Sequence, residues 1–368
     1  MSSVTSPPGR ELDTRSIESA ALLLGGAVFV VVALVGLLLF WGHDVPIAGP
    51  GSVGQFVALT AALISVVVFV AARLMMRSAL PTGDRLRVPG VRLHWYDIGA
   101  LALAFAAIAL LGWLGFAGLL EKSFQGAVVF PVSAAALSAA AVAVTAYAVF
   151  LAAVNLTPML LSLVLVVFLV VGCFASMLSA TDPLWWQKNL STLGISDDIS
   201  ALAFNLTVII GGAIVTVIAH YATANIPADE RARERGRRFV HGALVLIGVL
   251  LACVGIFPVD RFLTAHNIAA TGMAITFVVL AVGLGSFAPT LPRVFVLLGY
   301  AYVGIIVVLA ALFVTGYYNL TAVELIAFLL IFSWLIVLLR NTGAERVARE
   351  GTLADAGRPP RTSPTPEP

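Results

Sequence analysis

Charge is scarce in this chain of 368 residues: Asp, Glu, Lys and Arg make up 11% of it, against 60% apolar residues. A water-soluble domain carries about a quarter of its residues charged, so a soluble globular fold is excluded. Cysteine is nearly absent. Two thiols, Cys173 and Cys253, lie in the middle of different apolar runs, which leaves no disulfide framework and no cysteine metal cluster. They read as small packing residues. Histidine occurs five times, with no HExxH or HxxxH spacing, and the chain has neither a Gly-x-Ser-x-Gly elbow nor a phosphate-cradling glycine loop. No cofactor, resident metal or nucleic-acid partner is expected.

What the sequence has in abundance is apolar length. A bilayer core about 30 Å thick needs roughly 20 apolar residues of helix at 1.5 Å each. Ten runs meet that length, at about 17–42, 53–76, 96–120, 128–153, 156–178, 199–223, 239–258, 266–287, 293–316 and 319–339. The stretch 128–178 is long enough for two crossings, and Asn155, Thr157 and Pro158 divide it, since proline lacks a backbone donor and favours a helix start. Pro289, Thr290 and Pro292 divide the eighth run from the ninth. The expected fold is all-α, a polytopic membrane bundle of about ten helices.

Basic residues give the orientation. With the N-terminus in the cytoplasm, ten crossings return the C-terminus to the same side. All but Lys122, Lys188 and Arg261 of the 21 Lys and Arg residues then lie inside, while Asp44, Glu121, Asp182, Asp197, Asp198 and Asp260 lie outside. This is the asymmetry of the positive-inside rule, and it points to the cytoplasmic membrane. The first run is too long for a signal-peptide core, carries acidic residues before it and lacks a cleavage site after it. Residues 1–16 form a cytoplasmic tail, and the Pro-rich polar tail 341–368 reads as disordered.

The two parts of the membrane region differ. Spans one to four (17–154) are almost free of ionisable groups, and the fourth is a run of small residues (134–146) suited to close helix contact. The six later spans (155–340) hold the polar exceptions. A boundary therefore falls near residue 154. Gly25-Gly26 and Gly211-Gly212 occupy comparable contexts, which raises an inverted five-plus-five repeat of the secondary-transporter kind. Against it stands the lack of any polar unwound segment.

Asn205, His266 with Asn267, and Glu324 lie at one depth near the outer ends of three spans, close to Asp260 and Arg261. An amide or carboxylate in hydrocarbon is costly without partners, so these residues form a candidate outer-leaflet polar pocket. The outer loop 181–198 would cover it, with Trp185 and Trp186 at headgroup level and Ser191 nearby. Asp197 and Asp198 suit the cap of the sixth span. The bland alternatives are interfacial anchoring and interhelical bridging. His220 and His241 flank the arginine-rich inner loop, and two histidines alone are weak grounds for a metal.

The stretch 156–340 resembles a bacterial polytopic membrane family known only as domain of unknown function nine-nine-eight, itself distantly similar to autophagy-modulator and GPI-lipid-remodelling membrane families. The resemblance lies in NLSTLG (189–194), AFN followed by a glycine pair (203–205, 211–212), GIFP (255–258) and His266. It implies a six-helix unit with marked residues Ser191, Gly194, Asn205, Phe257, Pro258 and His266 near the outer face, handling or sensing lipid. Glu324 and the tryptophan pair lie outside that pattern. The expected function is thus non-enzymatic: lipid binding or sensing, or support of cell-envelope machinery, with membrane lipids and other membrane proteins as partners. A secondary transporter is the alternative. An intramembrane lipid-modifying enzyme, with His266 as base oriented by Glu324 or Asp260, ranks last for want of a nucleophile.

Overall fold

A computed structural model describes residues 14–78, 94–195, 198–224, 231–287 and 291–356. Ten helices run through it: α1 (Thr14–Phe40), α2 (Val53–Ser78), α3 (Trp95–Ser123), α4 (Pro131–Val154), α5 (Pro158–Ser179), α6 (Ile199–Ala224), α7 (Arg231–Ile256), α8 (Leu263–Phe287), α9 (Arg293–Val314) and α10 (Leu320–Ala356). All ten contain a segment long and apolar enough to cross a bilayer. The protein is an all-α, multi-pass membrane bundle.

Local chemistry sets the breaks. The Thr157 side chain accepts the backbone N–H of Leu160 at 3.1 Å and Pro158 follows at the first helical position, so α5 begins afresh where a single long helix would otherwise run. Pro292 precedes α9 with φ −56°, while Pro289 and Thr290 lie outside the described residues. At its far end α10 departs from expectation: it continues as helix to Ala356, through a stretch read as a disordered tail. Residues 341–356 are rich in Ala, Glu and Arg, which favour helix and offset the missing apolar pattern. Residues 357–368 lie outside the described part, as do residues 1–13.

Alternation of the helices defines two ends. One carries the 181–198 loop and is here the loop end; the other, the arginine end, carries the α6–α7 connection. Described basic residues divide between them as the charge asymmetry requires: Lys122, Lys188 and Arg261 at the loop end, Arg73, Arg235, Arg237, Arg238, Arg293 and Arg340 at the other. At the loop end a two-residue antiparallel ladder pairs Val45 with Val129 and Pro46 with Val128, tying the α1–α2 and α3–α4 connections together.

Helix α1 packs mainly on α4, where Ala134, Ala135, Ala139 and Val142 are buried and a methyl group on Gly36 would sit 3.1 Å from the Ala135 Cα. Small residues here permit backbone approach in a solvent where apolar surface alone gives no drive to associate. Helix α2 rests on α3 and α4, and α3 reaches across to α5 and α6. Helix α6 packs mainly on α7. A Cβ on Gly212 would clash with the Gly248 carbonyl oxygen, and one on Gly248 would lie 2.5 Å from the Gly212 carbonyl oxygen, so both glycines serve close packing. The α2–α3 and α7–α8 pairings correspond, but α1 packs mainly on α4 while α6 packs mainly on α7, so the two sets of five helices match only in part. The α8, α9 and α10 seam is filled by Trp334, fully buried, stacked on Phe295 at 4.9 Å and edge-on to Phe277 at 5.4 Å.

Candidate functional site

At the loop end, between α5 and α6, the chain makes two short 3₁₀ turns, Trp185–Gln187 and Leu190–Gly194. Asp182 organises the first. Its carboxylate accepts the Lys188 ammonium and the Leu184 N–H, each at 2.9 Å, and the lysine contact chiefly holds its pKa below the ordinary 3.8. The indole of Trp185 packs against the core while Trp186 is exposed, and the Trp186 carbonyl accepts the Asn319 amide at 2.9 Å. Asn319 also caps α10 by accepting the Ala322 N–H. Asp198 caps α6 by accepting the Ala201 N–H at 3.0 Å and takes the Thr181 hydroxyl as well. Its neighbour Asp197 lies outside the described residues.

The second turn, Leu190–Gly194, is gripped from three helices. From α10, the Glu324 carboxylate accepts the Leu190 N–H at 2.6 Å. From α6, the Asn205 amide donates to the Gly194 carbonyl at 3.1 Å. From α8, His266 meets the Ser191 hydroxyl at 2.9 Å through Nε2, while its Nδ1 lies 2.8 Å from the Phe257 carbonyl. A carbonyl only accepts, so Nδ1 carries the proton, and a neutral imidazole then accepts the Ser191 O–H at Nε2. Burial makes these bonds consequential: Ser191 is 8% exposed and His266 4%.

Glycine and proline make the geometry possible. A Cβ on Gly194 would meet the Asn205 side chain at 2.6 Å, and one on Gly255 would meet the Asn205 carbonyl at 2.8 Å. The residue before a proline disfavours the helical conformation, so α7 ends at Ile256 and the Phe257 carbonyl lies past the helical ladder, where His266 meets it. The short motifs scattered over residues 189–266 therefore meet in one place.

Asn205, His266, Glu324 and Ser191 thus converge, but on a turn of the chain rather than around an empty pocket. Both ring nitrogens of His266 are taken by Phe257 and Ser191, so neither Glu324 nor Asp260 orients the imidazole, contrary to the enzymatic expectation. Asp260 pairs instead with the neighbouring Arg261 at 3.7 Å. Asn267 parts company with His266, because adjacent helical positions point about 100° apart. It is exposed, and with Leu263, Thr264, Ile268, Thr271, Gly272 and Ile275 it lines a shallow groove on the open face of α8. Among the described residues no group of three His, Cys, Asp or Glu is placed to hold a metal, and Cys173 and Cys253 are free thiols.

Sequence reading treated His220 and His241 as an isolated pair at the arginine end. The fold adds His94, Tyr96 and Asp97 from the start of α3. Asp97, 1% exposed, accepts the His94 N–H at 2.9 Å and lies 3.8 Å from His220 Nδ1, and the His220 and His241 rings stand edge to face at 5.0 Å. The available signal was an acidic residue one turn from the border of an apolar run. No protein-family model, curated protein or solved structure matches the chain.

Proposed function

We propose that this is a non-enzymatic lipid-binding or lipid-sensing protein of the cytoplasmic membrane, with both termini inside. The 181–194 segment would act as a lid over the outer ends of α6, α8 and α10. One observation carries the reading: three polar side chains, on three helices, all hold a single five-residue turn. Such groups are costly inside a bilayer, and a loop connection could be tethered at the surface with far less buried polarity. Beside the lid, Thr264, Asn267 and Thr271 give the open face of α8 a polar edge for a headgroup, with Ile268 and Ile275 for a chain. On their short motifs alone, the six later helices are assigned to the family of unknown function that they resemble, with a boundary near residue 154. Native mass spectrometry of the protein released from bilayers should show retained lipid, reduced in Asn267→Leu and in His266→Ala or Glu324→Ala. Equal retention in all three variants would remove the reading.

The Ser191–His266 bond favours a second reading, acyl transfer. With the lid raised, the Ser191 oxygen would attack an ester carbonyl while its proton passes to His266 Nε2. The same proton would then go to the departing alkoxide, leaving an acyl-serine for water to clear. Burial of both residues ranks this second. A fluorophosphonate probe would label wild-type protein at Ser191 and leave Ser191→Ala unlabelled; an unlabelled wild type ends it.

A further inference from the structure

A second site lies at the opposite end of the molecule, independent of the lid. Between α6 and α7 a pocket of about 320 Å³ is lined by His220, Thr223, Arg237, Arg238 and His241. Four of these five side chains are basic or can become so, and the fifth is a hydroxyl. We propose that this pocket binds a phosphate group, as the headgroup phosphate of an anionic lipid or as free phosphate.

The hydrogen bonds inside the pocket wall favour that chemistry. The Thr223 hydroxyl gives its proton to the Ala219 carbonyl at 2.6 Å, so its oxygen accepts from His241 Nδ1 at 3.1 Å. His220 Nδ1 donates in the same manner to the Thr216 carbonyl at 3.0 Å. Each imidazole therefore spends Nδ1 on the protein, which fixes the ring plane. His220 Nε2 has the Tyr96 hydroxyl 3.5 Å away. A protonated imidazole would present Nε2–H to an acceptor oxygen. Arg237 is half-buried on the same face of α7, and a guanidinium offers the paired donors that match phosphate geometry. Arg238 is already engaged by Glu234 one turn away, so Arg237 is the main anchor. The buried Asp97 carboxylate lies 3.8 Å from His220 Nδ1 and takes no part in the lining.

The depth of the pocket matches a headgroup. Trp95 and Tyr96 are exposed at the start of α3, and the Tyr96 ring lies 5.9 Å from that of His220. Exposed Trp and Tyr at the end of a spanning helix sit where hydrocarbon gives way to headgroups.

The test uses the full chain in nanodiscs of phosphatidylcholine with phosphatidylglycerol, read by native mass spectrometry, and in detergent with added inorganic phosphate, read by thermal midpoint. Wild type should retain phosphatidylglycerol over phosphatidylcholine if the phosphate belongs to a lipid, and should rise in midpoint with millimolar phosphate if it is free. Arg237→Gln and His241→Gln should each cut the responding signal about tenfold, the scale of one charge-assisted bond, while Arg235→Gln, on the exposed side of α7, leaves it unchanged. Absence of both a lipid preference and a phosphate response in wild type overturns the proposal, whether or not the variants fold. Equal loss in Arg235→Gln overturns it too, since general surface charge would then explain the binding.

Discussion

A buried imidazole between a carbonyl and a hydroxyl is the most exacting contact at the loop end. Replacing His266 by Ala strands the Phe257 carbonyl and the Ser191 hydroxyl where water does not reach, at about 1–3 kcal/mol for each unpaired group. The Leu190–Gly194 amides should then exchange with deuterium about tenfold faster or more, with α1 and α4 unchanged; unaltered protection would mean the turn is held by something else. Asp182 gives a pH-dependent counterpart. Its pKa lies below 3.8 in the folded chain, so the Lys188 contact contributes fully above the unfolded value and is lost as pH falls through the lowered one. NMR should find the Leu184 amide titrating below 3.8 in wild type and returning toward 3.8 in Lys188→Ala. These residues were legible in part. Asn205, His266 and Glu324 stand out because polar groups are rare in apolar runs, and that rarity told where partners must be found. It could not tell which partners, since all three helices find theirs on atoms of one loop, two of them backbone groups, and the path of a loop leaves no periodic trace.

Helices were read more easily than their neighbours. An apolar span of 21 to 29 residues announces its own existence because the bilayer sets its length, and Thr157-Pro158 marks a break by chemistry local to two residues. Which helix lies on which depends on surface shape, so the pairing of α1 with α4 was not foreseen, nor was the ladder between Val45–Pro46 and Val128–Val129. The α6–α7 contact tests the shape argument. Gly242 and Gly248 share α7, yet a Cβ at 242 would meet nothing within 4 Å while one at 248 would press on the Gly212 carbonyl and the Thr216 hydroxyl at 2.5 and 2.7 Å. Gly248→Ala should therefore lower the thermal midpoint, by an overpacking cost of about 1–3 kcal/mol. Gly242→Ala should match or exceed wild type, because Ala is the better helix former. If both variants behave alike, backbone propensity rather than interhelical contact governs this seam.

At the scale of the molecule, one asymmetry sets how every site meets the cell. The described helices put Lys122, Lys188 and Arg261 at one end and Arg73, Arg235, Arg237, Arg238, Arg293 and Arg340 at the other. Moving basic side chains across a membrane is unfavourable during insertion, so the arginine end should stay in the cytoplasm and the lid should face outward. Both native cysteines lie within spans, and a variant lacking them gives a clean background for single labels. A cysteine at Lys188 should react with a membrane-impermeant maleimide in intact cells; one at Arg235 should react only after permeabilisation. The reverse pattern would turn the Asn205–His266–Glu324 cluster toward the cytoplasm and the phosphate pocket outward, away from the leaflet whose anionic lipids it is built to meet. Labelling of both positions in intact cells would mean a mixed population, which so steep a charge gradient argues against.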